Sequence, residues 1–133
     1  MASTAAARAE AERALANMIH FDYDKADIRS DDEAVLDWKA RLLNANPAMT
    51  LRISGHADDR GSDEYNLALG NRRAAAAKRY LVNKGIAEGR IVIDSYGEER
   101  PLDPAETEEA WAKNRRDEFV LTAQPPAWVI PAP

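Results

Sequence analysis

The sequence predicts an α/β (α+β) two-layer sandwich, in which helices pack on a small four-stranded sheet. Three observations lead to this fold class. Short segments alternate apolar and polar residues, which is the period of a half-buried strand. Amphipathic helical segments separate them, and the element order is β-α-β-α-β-α-β. The chain has 133 residues, 45% of them hydrophobic, which is enough for one core and one domain.

The first strand and helix lie in the N-terminal third of the chain. Residues 19–24 alternate, so that Ile19, Phe21 and Tyr23 would share one face of a strand. Ser30 and Glu33 have capping-box spacing, which predicts a helix from there to about Asn44. Its inward residues would be Val35, Trp38, Leu42 and Leu43.

The second strand leads into the longest helix. Residues 51–54 alternate and end at Gly55, and Ser62 can cap the helix that follows. Glycine can adopt the left-handed conformation that closes a helix, so we expect this helix to end at Gly85. Its apolar stripe would contain Leu69, Ala76, Ala77, Tyr80 and Leu81.

The remaining pattern completes the fold and divides the chain into three parts. Residues 91–93 form a third strand, 105–113 a short helix and 118–121 the last strand. Residues 1–17 are an Ala-rich tether or helical lead-in with little to bury, and its removal should leave the domain folded. Residues 18–123 form the domain. Residues 124–133 are a Pro-rich tail that includes Trp128.

The composition excludes several kinds of function. A formal net charge of −5 argues against a surface that captures nucleic acid or anionic lipid by charge alone. There is no cysteine, and the two histidines lack metal-site spacing, so we expect no metal and no cofactor. No segment of the sequence has the run of about 20 apolar residues that spans a bilayer.

Asp58 and Arg73 are the candidate binding residues. Asp58 follows the second strand in a loop, and Arg73 falls within the apolar stripe of the long helix, where a guanidinium needs an anion. A carboxylate and a guanidinium set apart across a cleft would bind a zwitterion such as an amino acid. The alternative is that the two side chains simply pair with each other.

A long ordered motif resembles the OmpA-like peptidoglycan-binding domain. It consists of GHADDRGSDEYN at residues 55–66, then Leu69, Arg72-Arg73-Ala74, Tyr80-Leu81, Lys84-Gly85, Ser95-Tyr96-Gly97-Glu98 and Asn114-Arg115-Arg116. Residues 21–25 and 28–29 look most like its peptidoglycan-associated lipoprotein branch. The resemblance covers residues 19–122.

The resemblance implies a mixed sheet of strand order 1-4-2-3 with strand 4 antiparallel. It also implies binding of the meso-diaminopimelate residue of peptidoglycan stem peptides by Asp58 and Arg73. Tyr23, Asp24 and Leu69 match residues that border the pocket. Four further residues match supporting positions: Ala57, Asn66, Arg115 and Arg116.

Two features depart from the family pattern. Asp117 stands where an apolar residue is usual, which makes the start of the last strand uncertain. The lipidated cysteine of the branch is missing, so contact with a membrane would require a lipid anchor that this chain lacks.

The function expected from the resemblance is non-catalytic. The domain would tether the outer membrane to the cell wall, in the periplasm of a Gram-negative type envelope. The alternative is an interaction module of the Tol-Pal system whose partner is a TolB-like β-propeller protein. A hydrolase that acts on the cell wall is disfavoured. Such an enzyme would need a second carboxylate or a metal site at a suitable spacing from Asp58, and Asp24 is the only candidate in the sequence.

Overall fold

The computed structural model describes residues 4–132, which form four helices and four strands. The helices are α1 (Ala5–Ala16), α2 (Glu33–Ala45), α3 (Asp63–Asn83) and α4 (Glu108–Asn114). The strands are β1 (Ile19–His20), β2 (Thr50–His56), β3 (Ile91–Gly97) and β4 (Arg116–Ala123). Short 3₁₀ turns precede α2 and β3, at Ser30–Asp32 and Glu88–Arg90. None of the helices in this range is long and apolar enough to cross a membrane.

The sheet has the order β1-β4-β2-β3, as the sequence predicts. β2 and β3 are parallel, and β4 runs antiparallel to both β1 and β2. α3 lies directly on β2, because neither Gly55 nor Gly70 carries a side chain at the crossing; a Cβ added at Gly55 would collide with the carbonyl oxygen of Gly70. This close approach fixes α3 beside the carboxyl end of β2.

The ends of α3 form as predicted. Ser62 accepts a hydrogen bond from the backbone N–H of Tyr65 at 3.1 Å, and Asp63 and Glu64 lie in the first turn. Gly85 follows the helix with a φ of 100°, which is left-handed.

The N-terminal helix and the tail belong to the core, so the expectation that residues 1–17 have little to bury is wrong. Ala11 and Leu15 are buried in one apolar cluster with Trp128 of the Pro-rich tail. The Lys39 amine is also buried and donates to the carbonyl oxygens of Ala14, Leu15 and Asn17 at 3.1, 2.5 and 2.6 Å. Residues 1–3 and 133 lie outside the described residues.

Helix α2 presents the predicted face only in part, since Leu42 and Leu43 are buried as expected but Trp38 is not. The segment begins as a 3₁₀ turn, which winds three residues per turn, and the expected Ser30–Glu33 cap does not form. Trp38 is only partly buried and lies near the Arg41 guanidinium. The buried residues of α2 are Leu36, Lys39, Ala40, Leu42 and Leu43.

Other boundaries also differ from prediction, and β3 extends to Gly97. β1 ends at His20, because the chain turns at Asp24, whose φ is 56°. α4 begins at Glu108, where the Thr107 side chain accepts a hydrogen bond from Ala110 N at 3.2 Å. β4 begins at Arg116 and thus includes Asp117.

Candidate ligand-binding pocket

A pocket of about 230 Å³ lies where the carboxyl end of β2, the turn after β1 and the start of α3 meet. All five residues that the sequence assigns to ligand binding line it. The full lining is Tyr23, Asp24, Asp58, Arg60, Gly61, Tyr65, Asn66, Leu69 and Arg73.

Two backbone elements position these residues, the loop after β2 and helix α3. Ala57 directly follows β2, and its N–H donates to the carbonyl oxygen of Gly97 at 2.9 Å, which holds the base of the loop that carries Asp58. On α3, Leu69 and Arg73 are four residues apart and therefore project from the same helix face.

Asp58 is held by cations within its own loop. It is 5% exposed and accepts hydrogen bonds from the Arg60 backbone N–H, Nε and Nη2 at 3.1, 3.2 and 2.8 Å. Arg115 Nη1 lies 3.6 Å from Asp58 Oδ2. Burial acts to raise the pKa of Asp58, but the Arg60 hydrogen bonds and the two guanidinium charges leave it below its usual value. Asp58 is therefore ionised at neutral pH.

The sequence analysis missed three residues of the lining, Arg60, Gly61 and Tyr65, and of these Arg60 makes the contacts with Asp58. Its guanidinium lies 4.0 Å from the ring centroids of both Tyr23 and Trp111. Trp111 is held in turn by a 2.9 Å bond from Nε1 to Asp59 Oδ1. The available signal was the opposite charges at positions 58 and 60 in a bend before Gly61, although the two aromatic neighbours are distant in sequence.

Arg73 is fully buried and is bound by backbone carbonyl groups. Its Nε, Nη1 and Nη2 donate to the carbonyl oxygens of Lys25, His56 and Asp22 at 2.8, 2.9 and 3.1 Å. Within the described residues it forms no ion pair with Asp58, so the alternative in which these two side chains neutralise each other is wrong. Burial lowers the pKa of Arg73 to about 10, which still leaves it charged at neutral pH.

The rim of the pocket is aromatic and acidic. Tyr23 and Tyr65 are 55% and 44% exposed, and the Tyr65 hydroxyl donates to Asp24. Asn66 is buried beneath them, and its Nδ2 donates to the Arg60 carbonyl oxygen at 3.0 Å and to Glu98 Oε1 at 2.8 Å. Asn66 thus braces the loop that carries Asp58.

Of the two adjacent arginines, only Arg115 reaches the site. Arg115 Nε donates to the Phe21 carbonyl oxygen at 2.8 Å, which ties the turn after β1 to β4. Arg116 points to the other side of the sheet, where it binds Glu118 and the Arg100 carbonyl oxygen at 2.8 and 2.9 Å.

The two histidines lie outside the pocket lining. His56 is buried against Tyr96, with ring centroids 5.5 Å apart, and neither ring nitrogen has a hydrogen-bond partner. Among residues 4–132 no group of three potential ligand side chains is placed to hold a metal ion.

Comparison with known proteins shows the family. The OmpA family matches residues 20–115. The peptidoglycan-associated lipoprotein of Mesorhizobium japonicum is 45% identical over 102 residues, covering 77% of this chain and 61% of the relative. That of Haemophilus influenzae is 46% identical over 100 residues, covering 75% of this chain and 65% of the relative. The chain thus spans less than two thirds of the length of these relatives, whose names do not denote enzymes.

Solved structures agree with this relationship. The peptidoglycan-associated lipoprotein of Burkholderia pseudomallei superimposes with a TM-score of 0.77 at 35% identity, covering 79% of this chain and 89% of that one. The C-terminal domain of Helicobacter pylori MotB gives a TM-score of 0.74 at 21% identity, covering 81% and 85%, and shares the fold. The chain belongs to the OmpA family.

Proposed function

We propose that the pocket binds, without catalysis, the meso-diaminopimelate residue of peptidoglycan stem peptides, and that the domain thereby tethers the outer membrane to the cell wall. One observation carries this proposal: Asp58 and Arg73 line the same pocket and do not pair with each other. A free amino-acid terminus such as that of diaminopimelate brings an ammonium and a carboxylate together, and it needs both countercharges.

Both protein charges suit this ligand chemically. A guanidinium has five N–H donors, and Arg73 uses three of them on backbone carbonyls, which leaves two for a ligand carboxylate. The ligand ammonium would replace Arg60 as a partner of Asp58. Leu69 and the Tyr23 ring provide apolar wall for the methylene chain between the two ends of diaminopimelate.

The names of the relatives support a cellular context for the proposed binding. The relatives are named peptidoglycan-associated lipoproteins, and we assign this domain to the periplasm in association with the outer membrane.

A titration with two muropeptides tests the proposal. One carries meso-diaminopimelate, and the other carries lysine, which lacks the second carboxylate. We expect saturable binding of the first and roughly 30-fold weaker binding of the second, since loss of one partner of a desolvated charge pair costs about 2 kcal/mol or more. Equal affinities would refute the zwitterion mechanism. Release of any cleaved product during the titration would refute the non-catalytic proposal.

A protein partner over the same surface is the second candidate function. The exposed rings of Tyr23 and Tyr65 favour it, because tyrosine is enriched at protein interfaces. The proposed partner is a TolB-like β-propeller protein. If it covers the pocket rim, a saturating muropeptide should weaken its binding, and unchanged binding would exclude a shared surface.

A further inference from the structure

Asp117 is a buried carboxyl group with no hydrogen-bond partner. It is 0% exposed, and neither of its carboxyl oxygens makes a hydrogen bond. It lies in β4 at the centre of the sheet, opposite Ile19 of β1 and Gly55 of β2. A polar group in such a position is costly unless it is neutral or faces a compensating charge.

The register shows which face of the sheet Asp117 occupies. Residues directly opposite each other in an antiparallel pair project to the same side. At Gly55 that side is the one against α3, since an added Cβ would meet Gly70 there. Asp117 therefore lies between the sheet and α3. Arg73 is three residues beyond Gly70, close to one turn along the same helix.

Among the elements packed against Asp117, helix α3 provides the charged group that acts on it, which is Arg73. Burial raises the pKa of Asp117 well above its ordinary value, and the Arg73 charge opposes that shift. Arg73 itself is also subject to the charges of Asp58, Arg115 and Asp24. Within the described residues no ion pair joins Arg73 to Asp117, so the two groups interact through space.

We propose that Asp117 determines affinity by coupling the binding of a ligand carboxylate at Arg73 to the uptake of a proton by the Asp117 carboxylate. This inference rests on the proposed function. A ligand carboxylate at Arg73 partly neutralises the one charge that favours ionised Asp117, and it brings a second negative charge nearby. The proton comes from solvent, and no bond in the ligand changes.

The coupling predicts a pH dependence at the alkaline end. Ligand binding and proton binding favour each other reciprocally. Affinity should therefore fall as pH rises through the interval between the Asp117 pKa in the free and bound states, by at most about tenfold per pH unit for a single proton. Below both values the dependence should vanish.

Calorimetry of the full chain with the diaminopimelate muropeptide tests this coupling between pH 5 and pH 9. Titrations in two buffers of different ionisation enthalpy give the number of protons taken up. We expect uptake of up to one proton by the wild type and none by Asp117→Asn, which stays neutral with nearly the same shape. The matched control is Asp94→Asn, since Asp94 binds Ser54 on the sheet face turned away from α3; it should behave as the wild type.

The outcomes separate this inference from the proposed function. A wild type that binds no muropeptide at any pH overturns both. Binding with the same proton uptake in the wild type and Asp117→Asn overturns the coupling alone. Carboxyl carbon NMR of the wild type provides a second measurement that needs no variant: the Asp117 titration should move to higher pH on ligand addition, and an unchanged titration would overturn the proposal.

Discussion

Asp58 and Arg73 lie in one pocket, yet each is held by a different set of partners. Asp58 accepts three hydrogen bonds from Arg60, whereas Arg73 donates to three backbone carbonyl groups. Carbonyl groups are dipoles without net charge, so the Arg73 charge is solvated but not neutralised. The pocket therefore keeps a cation available for an external carboxylate.

Arg73→Ala should abolish ligand binding and also destabilise the fold. It removes a charge-assisted contact to the ligand, and we expect affinity to fall by roughly 30-fold or more. It also frees the carbonyl oxygens that hold the turn after β1, at a cost of about 2 kcal/mol or more. Arg73→Lys should bind poorly too, because an ammonium cannot reproduce the planar fork. Muropeptide titration and urea unfolding measure the two effects, and affinity retained within a few-fold would contradict the assigned role.

The absence of a direct ion pair predicts a small coupling between Asp58 and Arg73. The Asp58 charge still acts on Arg73 through space, so the losses in unfolding free energy of Asp58→Ala and Arg73→Ala should sum to that of the double variant within about 1 kcal/mol. The measurement is the same urea series without ligand. A double variant more stable than Arg73→Ala alone would show that the two charges interact strongly.

Arg60→Ala should move the acid limit of binding to higher pH. Burial acts to raise the pKa of Asp58, and the hydrogen bonds from Arg60 act to lower it. Two of these three bonds come from the Arg60 side chain, so their removal should raise the pKa of Asp58, although the bond from the backbone N–H remains. Asp58 binds an ammonium only when ionised, and affinity would then be lost at a less acidic pH than in the wild type. Muropeptide affinity measured from pH 3 to pH 7 gives the midpoint of the loss. An unchanged midpoint would exclude Asp58 as the ammonium acceptor.

The sequence predicts the sheet and the residues of the site better than it predicts which side chains those residues contact. Alternation and capping located most of the strands and helices, and the resemblance to the family implied the strand order and brought Asp58 and Arg73 to one place. The Asp58–Arg60 contact was missed because it depends on the conformation of a bend, which neither periodicity nor capping describes. Tyr23 and Trp111 then meet Arg60 from distant parts of the chain.

The N-terminal helix shows another limit of sequence patterns. Ala11 and Leu15 form a stripe only one residue wide, which becomes a buried face because α2, β4 and Trp128 of the tail all pack on this side of α1. Lys39 was detectable in principle. It stands four residues after Val35 and four before Leu43, on the apolar stripe of α2, as Arg73 does on the apolar stripe of α3.

His56 should make the fold acid-sensitive. Burial, with the nearby Arg116 charge, lowers the pKa of His56 to about 4, against an ordinary value of 6.5. Between these values the unfolded chain takes up a proton and the folded chain does not, so stability should fall as pH drops from 6.5 to 4. The loss is at most about 1.4 kcal/mol per pH unit. Urea midpoints at pH 7 and pH 4.5 measure it.

His56→Phe provides the comparison. The ring nitrogens make no hydrogen bond, so a phenyl ring can keep the stack on Tyr96 without a titrating group. We expect this variant to lose less stability than the wild type on acidification. An identical loss in both proteins would mean that other groups cause the acid sensitivity.

Lys39→Met should destabilise the chain by releasing α1. The change keeps an unbranched apolar stem but removes the ammonium that binds the carbonyl groups of Ala14, Leu15 and Asn17. Those groups lie at the carboxyl end of α1, where the helix dipole favours a cation. Loss of one side of such a buried contact should cost about 3 kcal/mol, measured by urea unfolding.

A loss of stability in Lys39→Met has two possible causes, the lost contact with α1 and poor packing of the methionine. Truncation of residues 1–17 distinguishes them. Without residues 1–17, Lys39 loses the three carbonyl groups that accept its hydrogen bonds, and an apolar residue of similar length should then be neutral or stabilising at that position. Lys39→Met should therefore lower the stability of the full chain and leave that of the truncated chain unchanged or higher. Equal losses in both backgrounds would show that Lys39 acts within α2 and does not anchor α1.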